Sequence, residues 1–496
     1  MKFSYKLLSV YRGLILFLFL FFTLTTQAQV GIGNTNPDAS SMLDITSTSK
    51  GLLAPRMTTL QRLAITTPAN SLLVYDTDLK SFYYYDLPST AWVKINSQSN
   101  QRNNYKLVKS VTDLAPELAA GGGTKYLLTA NTFYEINGLI TLAAPIDLNN
   151  AYVSGLDANE DILFRATGAV FQGITGGSIR NITLSGGGSA FAITGGTTLL
   201  IQNTIVANFS SVGSITNVGL YFGNIIQFVN NAAGITYTSI GNLLLNNQAW
   251  LDSNSGTFET FTGTFGLIEK VSGFSTMNGS DVAINVSSNP TVGEGVILGT
   301  VFSGTTTAPS GFVNRYTTGS YTGFNFNNNW VINSPGIPRE SDNEASANIY
   351  YNGGITTGFA QDANSNNTPF NLSGNSNTNT TTAVNMFRTT SPQNNRITYN
   401  GRRKRTFQVN ASLSVRGNIQ DQFYGFFIRK NGAAGTSLIE TNSLMRVNNT
   451  SDINSIAISG TVELNPGDFI EVWGQRLTGS GGSPQIAIFS LNLNIR

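Results

Sequence analysis

Ile179-Arg180-Asn181-Ile182-Thr183-Leu184 is followed by Ile201-Gln202-Asn203-Thr204-Ile205-Val206, in each case an Ile two positions ahead of a tetrad that opens on Asn. Asn224-Ile225-Ile226-Gln227 and Asn242-Leu243-Leu244-Leu245 continue the series, the last again preceded by an Ile, Ile240. The leading asparagines are about 22, 21 and 18 residues apart, the period of a solenoid coil. A coil of this length gives one short strand with inward apolar side chains, then a turn rich in Gly, Ser or Asn. Stacked coils pair each strand with its copies above and below, which satisfies the backbone everywhere except at the ends. An Asn at a fixed place in each coil is expected to form a ladder, its amide donating to a carbonyl of the next coil. The pattern predicts a parallel β-helix over residues 105–305. A continuous sandwich is the alternative, and the regular period argues against it.

Composition supports a β protein. The 496 residues exceed one ordinary core, so modules in series are expected. The 51 glycines, with abundant Asn, Ser and Thr, favour turns and short strands over helices. Charged residues make up 11 % and the formal net charge is +2, which gives no electrostatic basis for a nucleic-acid partner. Cys and His are both absent, so no disulfide, thiol nucleophile, Cys or His metal site or Ser-His-Asp triad exists in this chain. No cofactor is expected. Any catalysis would rest on carboxylates, Lys, Arg or Tyr.

Residues 1–28 read as a signal peptide. Lys2, Lys6 and Arg12 form a basic start, Leu14 to Leu24 is apolar apart from Thr23, and Thr26-Gln27-Ala28 offers a small-residue cleavage site. The apolar run is too short to span a bilayer comfortably, so export without a remaining transmembrane span is expected, the alternative being a retained anchor.

Residues 29–100 read as a small mixed module. Thr58 with Gln61 three positions on is a capping-box pattern that opens a short helix ahead of Pro68. Strands are expected at Leu72 to Tyr75, Phe82 to Tyr85 and Trp92 to Ile95. The Tyr83-Tyr84-Tyr85 run invites a sugar-stacking hypothesis, against which stands ordinary cross-strand packing. Residues 306–395 read as a transition, with strand candidates near Phe324 to Trp330 and Asn348 to Tyr351 and a polar Asn/Ser/Thr-rich linker near 360–382. Residues 396–496 read as a separate strand-rich module. Phe407-Gln408-Val409-Asn410-Ala411-Ser412-Leu413 alternates with period two, Asn431-Gly432 marks a hairpin turn, and Asn465-Pro466-Gly467-Asp468 marks another.

Three resemblances follow from these segments. Val30-Gly31-Ile32-Gly33-Asn34-Thr35-Asn36-Pro37 and Met42-Leu43-Asp44-Ile45, extended by Lys50-Gly51-Leu52-Leu53-Ala54-Pro55-Arg56-Met57, resemble a V-G-I-G-T-T-x-P segment of phage tail fibres and of secreted fibre-like proteins of Bacteroidota. The repeat region resembles the right-handed parallel β-helix of pectate-lyase-like and tail-spike proteins. The order F-x-V-x-A-x-L, F-x-I-x-K-N-G and V-x-L-x-P-G-D-x-I-E-V resembles C1q/TNF-like jelly-roll domains. Together they imply an all-β fold: a right-handed parallel β-helix, then a C-terminal antiparallel jelly roll, behind a small N-terminal module. The resemblances further imply a homotrimeric extracellular fibre-like attachment protein, secreted or at the cell surface, whose partner is a surface glycan or other receptor. The alternatives are a polysaccharide-degrading β-helix enzyme and a tail fibre or spike of a Bacteroidota phage, located in the virion tail.

The enzyme alternative has one weak site. Asp157-Ala158-Asn159-Glu160-Asp161, with Arg165 nearby, is the densest acidic spot of the solenoid, and Glu160 and Asp161 are its catalytic candidates against a solvated-turn reading. Glu294 stands nearly alone, and Glu269-Lys270 reads as a surface pair. Arg402-Arg403-Lys404-Arg405 is either a contact for an anionic glycan or an exposed strand edge. Glu340-Ser341-Asp342-Asn343-Glu344 lacks the spacing of a known Ca²⁺ loop and reads as a solvated turn. No metal site is expected, and no binding residues stand out.

Overall fold

The computed structural model describes residues 11–15, 29–95, 103–363, 365–375, 381–479 and 482–496. The expected signal peptide therefore lies outside the described residues except for 11–15, which are helical. Among the described residues, no helix is long and apolar enough to cross a membrane. The chain divides into two compact units, Met1–Gln101 and Arg102–Arg496.

In the first unit, Val30–Ile32 pairs in parallel with Leu43–Ile45. The helix Thr59–Leu63 opens on the expected capping box. Gln61 N donates to Thr58 Oγ1 at 3.3 Å and Thr58 N donates back to Gln61 Oε1 at 2.9 Å. Leu73–Asp76, Ser81–Asp86 and Ala91–Lys94 form an antiparallel meander. The helix is tied to this sheet by Arg62, whose Nε donates to the buried Asp76 carboxylate at 2.9 Å. Burial works to raise the Asp76 pKa, but hydrogen bonds from Leu79, Arg62, Thr59 and Asp78 hold it at about 2. The tyrosine run is used in packing: Arg62 lies 4.2 Å from the Tyr83 ring centre, and Tyr85 meets Trp92 edge to face. Among described residues 29–95, Ala54 and Val74 are the only buried apolar side chains, while Leu52, Leu53, Leu60 and Leu63 are 63–78 % exposed. So small a core cannot hold a module together unaided.

The second unit begins with a parallel β-solenoid. Ten strands, from Tyr105–Val108 to Trp330–Asn333, stack in the main path of one sheet. Nine more, from Tyr126–Leu127 to Val313–Asn314, form a second sheet facing it. Their inward side chains make one continuous core, in which Phe171 stacks on Phe191, Tyr237 on Phe261 and Trp250 on Phe258.

The strand register corrects the expected asparagine alignment. Asn181 and Asn203 stand in one column, but the next members are Ile225, Asn247, Ser272 and Gly299. Asn224 lies one place off, between Gln202 and Asn246, and Asn242 pairs with Leu220. What unites the column is backbone, not side chain. Every member has a positive φ, from +48° to +66°, which turns the long strand through a corner. Asn tolerates that conformation better than other residues with a Cβ, which explains why it recurs.

Side-chain ladders do form, at one pair of the expected series and at two places outside it. Asn203 Nδ2 donates to Asn181 Oδ1 at 3.1 Å, and Asn230 Nδ2 to Asn208 Oδ1 at 2.9 Å. The buried Asn231 donates to Asn254 Oδ1 at 2.9 Å and also to the Val206 carbonyl.

Residues 306–395, read from sequence as transition and linker, are divided between the two bodies of this unit. Val313–Asn314 and Trp330–Asn333 complete the solenoid. Ser346–Asn352, Phe359–Asp362, Pro369–Asn371, Thr382–Phe387 and Thr389–Thr390 join the C-terminal sheets. Ser346–Asn352 contains the strand expected at Asn348 to Tyr351; the others are sparse in apolar residues, which hid them, but their partners Gln485–Ile495 and Phe469–Thr478 supply the apolar face. The C-terminal body is two antiparallel sheets closed around Phe407, Val409, Leu413, Phe426, Ile428, Val472 and Leu491. Asn431 and Gly432 turn as expected, both with positive φ, and Asn431 Nδ2 ties the turn to Asp468 at 2.8 Å.

Candidate functional site

The acidic turn of the solenoid sets one of its two candidate carboxylates to work within the fold. Asp161 is buried, and its oxygens accept the backbone N–H groups of Gly138 and Leu156, both at 2.7 Å, and of Asp157 at 3.1 Å. Burial works to raise its pKa, yet these donors leave it below the ordinary value. Asp161 therefore holds a turn closed, while Glu160 is exposed at the surface. Arg165 is directed elsewhere, its Nη1 donating to the Ala169 carbonyl.

Glu269 and Lys270 are not a surface pair. Adjacent residues of a strand face opposite ways. Lys270 points into the core, where Nζ meets Glu259 Oε1 at 2.9 Å, and Glu269 stands in the outward column between Leu244 and Val296.

The remaining charged motifs converge where the solenoid meets the sandwich. Glu340 is no solvated turn residue. At 1 % exposure it accepts N–H bonds from Asn325 at 2.7 Å and Phe326 at 2.9 Å, donors that the last coil leaves unpaired. Burial raises its pKa to about 7 despite these two bonds. Asp342 takes Arg388 Nη1 on one oxygen and the backbone N–H groups of Arg402 and Arg403 on the other, at 3.0 and 2.8 Å. Arg388 also donates to the Trp330 and Glu340 carbonyls, and so binds the final solenoid strand to the first sandwich strands. Its φ of +52° is uncommon for a long side chain and places the guanidinium in the joint. Arg405 is likewise structural, donating to the Asp342 and Ala345 carbonyls at 2.8 Å with its guanidinium over Phe407.

Between these groups opens a cleft of about 320 Å³, lined by Glu294, Val296, Asp342, Asn343, Arg388, Arg402 and Arg403 among others. Sequence reading found each charged cluster separately, but nothing in their spacing showed that Glu294, Asp342 and Arg402 meet. Arg388, buried at the cleft, was missed, because a lone Arg in a polar stretch carries no pattern.

Two further depressions lie on the solenoid. One, of about 620 Å³, is bordered by Lys125, Asp147, Arg165, Gln172 and Thr194, with Lys125 Nζ 2.7 Å from the buried Asp147. The other, of about 260 Å³, is bordered by Asn104, Asn131, Phe133, Tyr152, Ser178 and Arg180. Among the described residues, no group of three or more acids is placed to hold a metal ion.

Residues 31–108 match the family described as the phage tail like trimerisation region. No curated protein matches the chain. Among solved structures, the chain is similar to the enzymatically active domain of bacteriophage CBA120 tailspike protein 4, at 10 % identity over 90 % of this chain and 77 % of that one, with a TM-score of 0.25. It is also similar to Eiger TNF from S. frugiperda, at 11 % identity over 31 % of this chain and 92 % of that one, with a TM-score of 0.22. At such scores neither superposition carries weight. The trimerisation match followed by a β-solenoid fits a structural protein of the phage tail fibre or spike type, in a virion tail or outside the cell, and supports a homotrimer.

Proposed function

We propose that this chain is a trimeric, fibre-like attachment protein that grips a glycan or another receptor on a cell surface. The observation that carries this reading is the trimerisation match over residues 31–108, whose described residues 31–95 bury only Ala54 and Val74 among their apolar side chains and leave Leu52, Leu53, Leu60 and Leu63 bare. Further copies of the chain are the natural cover for such a surface. Three copies present each binding surface three times, so contacts that are weak singly add up to durable attachment. The clefts suit polar polymers, being bordered by Asn, Ser, Arg and aromatic side chains. The motifs of the N-terminal segment also occur in secreted fibre-like proteins, so cell-surface display stands beside the virion tail as the location.

A glycosidase needs two carboxylates about 5–9.5 Å apart and free to act. Asp161 is committed to its turn, which weighs against the candidate pair Glu160 and Asp161. One observation favours a degradative second reading: the depression of about 620 Å³ sets a buried Asp147 against Lys125.

The test joins three measurements on the purified chain from Gln29: mass by light scattering, binding on a glycan array, and release of sugar ends from bacterial polysaccharides. A trimer that binds saturably and releases nothing is the expected result. Release of sugar ends that survives Glu160→Gln but not Asp147→Asn would replace attachment with degradation.

A further inference from the structure

The cleft between solenoid and sandwich holds more positive charge than the fold consumes. Arg402 meets Glu294 at 3.4 Å and the Asn329 carbonyl at 3.3 Å, long contacts made by exposed side chains. Among the described residues Arg403 forms no ion pair: its backbone N–H donates to Asp342 and its carbonyl accepts from Tyr399 Oη, while its guanidinium meets no acceptor. Arg388 lines the same cleft at 1 % exposure, and its Nε has no acceptor. A buried guanidinium N–H left unpaired is costly, and such groups are ordinarily satisfied by something bound. The acid nearest to hand is engaged elsewhere, its oxygens accepting Arg388 Nη1 and the backbone N–H groups of Arg402 and Arg403. Around the three guanidiniums stand neutral polar groups suited to hydroxyls, Ser341 and the exposed Asn343.

We propose that this cleft binds an anionic substituent, a carboxylate or a phosphate, on a sugar of the polymer to which the protein attaches; the proposal rests on the attachment reading above. Arg402 and Arg403 take the charge through their planar forks, which match both groups in geometry. Glu294 is the internal stand-in: it occupies Arg402 until a stronger anion displaces it.

The experiment titrates the full chain with glucuronic acid, glucose 1-phosphate and glucose, by calorimetry or ligand-observed NMR, beside Arg403→Ala, Arg402→Ala/Arg403→Ala and Glu294→Gln. Saturable binding of at least one acid is expected, with glucose silent, and the acid that binds identifies the substituent. Arg403→Ala is expected to weaken binding at least tenfold, Glu294→Gln to tighten it severalfold, and about 0.5 M salt to suppress it. Neither alanine removes a backbone N–H to Asp342, so both variants should keep the wild-type melting point. Equal binding of glucose and the acids, or an undiminished Arg403→Ala, overturns the proposal. Attachment of the chain to bacterial cells is read in parallel. If the wild type and the double variant attach equally, the cleft is excluded and the attachment reading stands. If the wild type attaches to no surface, the attachment reading fails, and the sugar titration alone decides the cleft.

Discussion

Lys270 Nζ lies 2.9 Å from Glu259 Oε1 in the interior of the solenoid, with side chains 1 % and 0 % exposed. The ammonium sits in an inward column between Leu245 and Ile297 and over the face of Phe258. Burial raises the Glu259 pKa, and Lys270 opposes that shift. Removing one partner leaves an unpaired buried charge, whereas removing both leaves an apolar coil. Lys270→Met should therefore cost about 3–5 kcal/mol, and Lys270→Met with Glu259→Leu should recover most of it. Denaturant unfolding of the three proteins measures this, and a single variant as stable as the double contradicts it.

Ile225 occupies a corner that the stacked coils otherwise assign to Asn, Ser or Gly, at φ +54°. A β-branched residue is strained there. Ile225→Asn should stabilise the chain by about 1 kcal/mol, and Asn203→Ile should lose a similar amount. The side chain of Ile225 is half exposed, so little burial is forfeited in the first exchange. Midpoints that move in the opposite order would show that packing, not backbone, governs the column.

The same corner shows what sequence could and could not reveal. The period was legible because Ile179, Ile201 and their like must face inward once per coil. The register was not, because Asn marks any left-handed corner and the chain has several: Asn208, Asn217 and Asn230 also have positive φ. The capping box at Thr58 and the turn at Asn431-Gly432 were legible, since their partners lie within a few residues. The cleft was not, for its walls come from Glu294, Asp342, Arg388 and Arg402, which are up to 108 residues apart. Glu340 misled for a related reason. Its partners, the N–H groups of Asn325 and Phe326, have no sequence signature at all.

Glu340 predicts a pH dependence of the joint. Its folded pKa of about 7 lies above the ordinary 4.5, so the folded chain binds an extra proton between those values. This group's contribution is most favourable below pH 4.5 and is lost as pH rises to 7, a loss of roughly 3 kcal/mol. Glu340→Gln should flatten that part of the stability profile. Unfolding midpoints between about pH 4.5 and 8 check it, and an unchanged slope in the variant contradicts it.

Asp161 and Glu160 should separate cleanly. Asp161→Ala strips the acceptors from three backbone N–H groups and should cost about 1–3 kcal/mol. Glu160→Ala is a surface change and should stay within about 0.5 kcal/mol. Thermal melts give both values, and a Glu160 effect as large as that of Asp161 would mean the turn is not held as described.

Leu52 and Leu53, 68 % and 78 % exposed, should matter to assembly and not to the solenoid. Leu52→Ser with Leu53→Ser is expected to shift the mass distribution from trimer toward monomer by sedimentation. The far-ultraviolet β signal, which reports the sheets beyond residue 102, should be unaltered. A trimer that resists this change places the contact elsewhere.

The scarcity of core in residues 29–95 has a consequence for the life of the molecule. A newly made chain can finish its solenoid alone, since each coil needs only the coil before it. Under the trimeric reading its leading module has no such independence and stays adhesive until copies meet. Supply, not sequence, then sets the pace of maturation: a dilute chain remains an orphan, marked by bare leucines for chaperone or protease, whereas a crowded one conceals the mark by finding its equals.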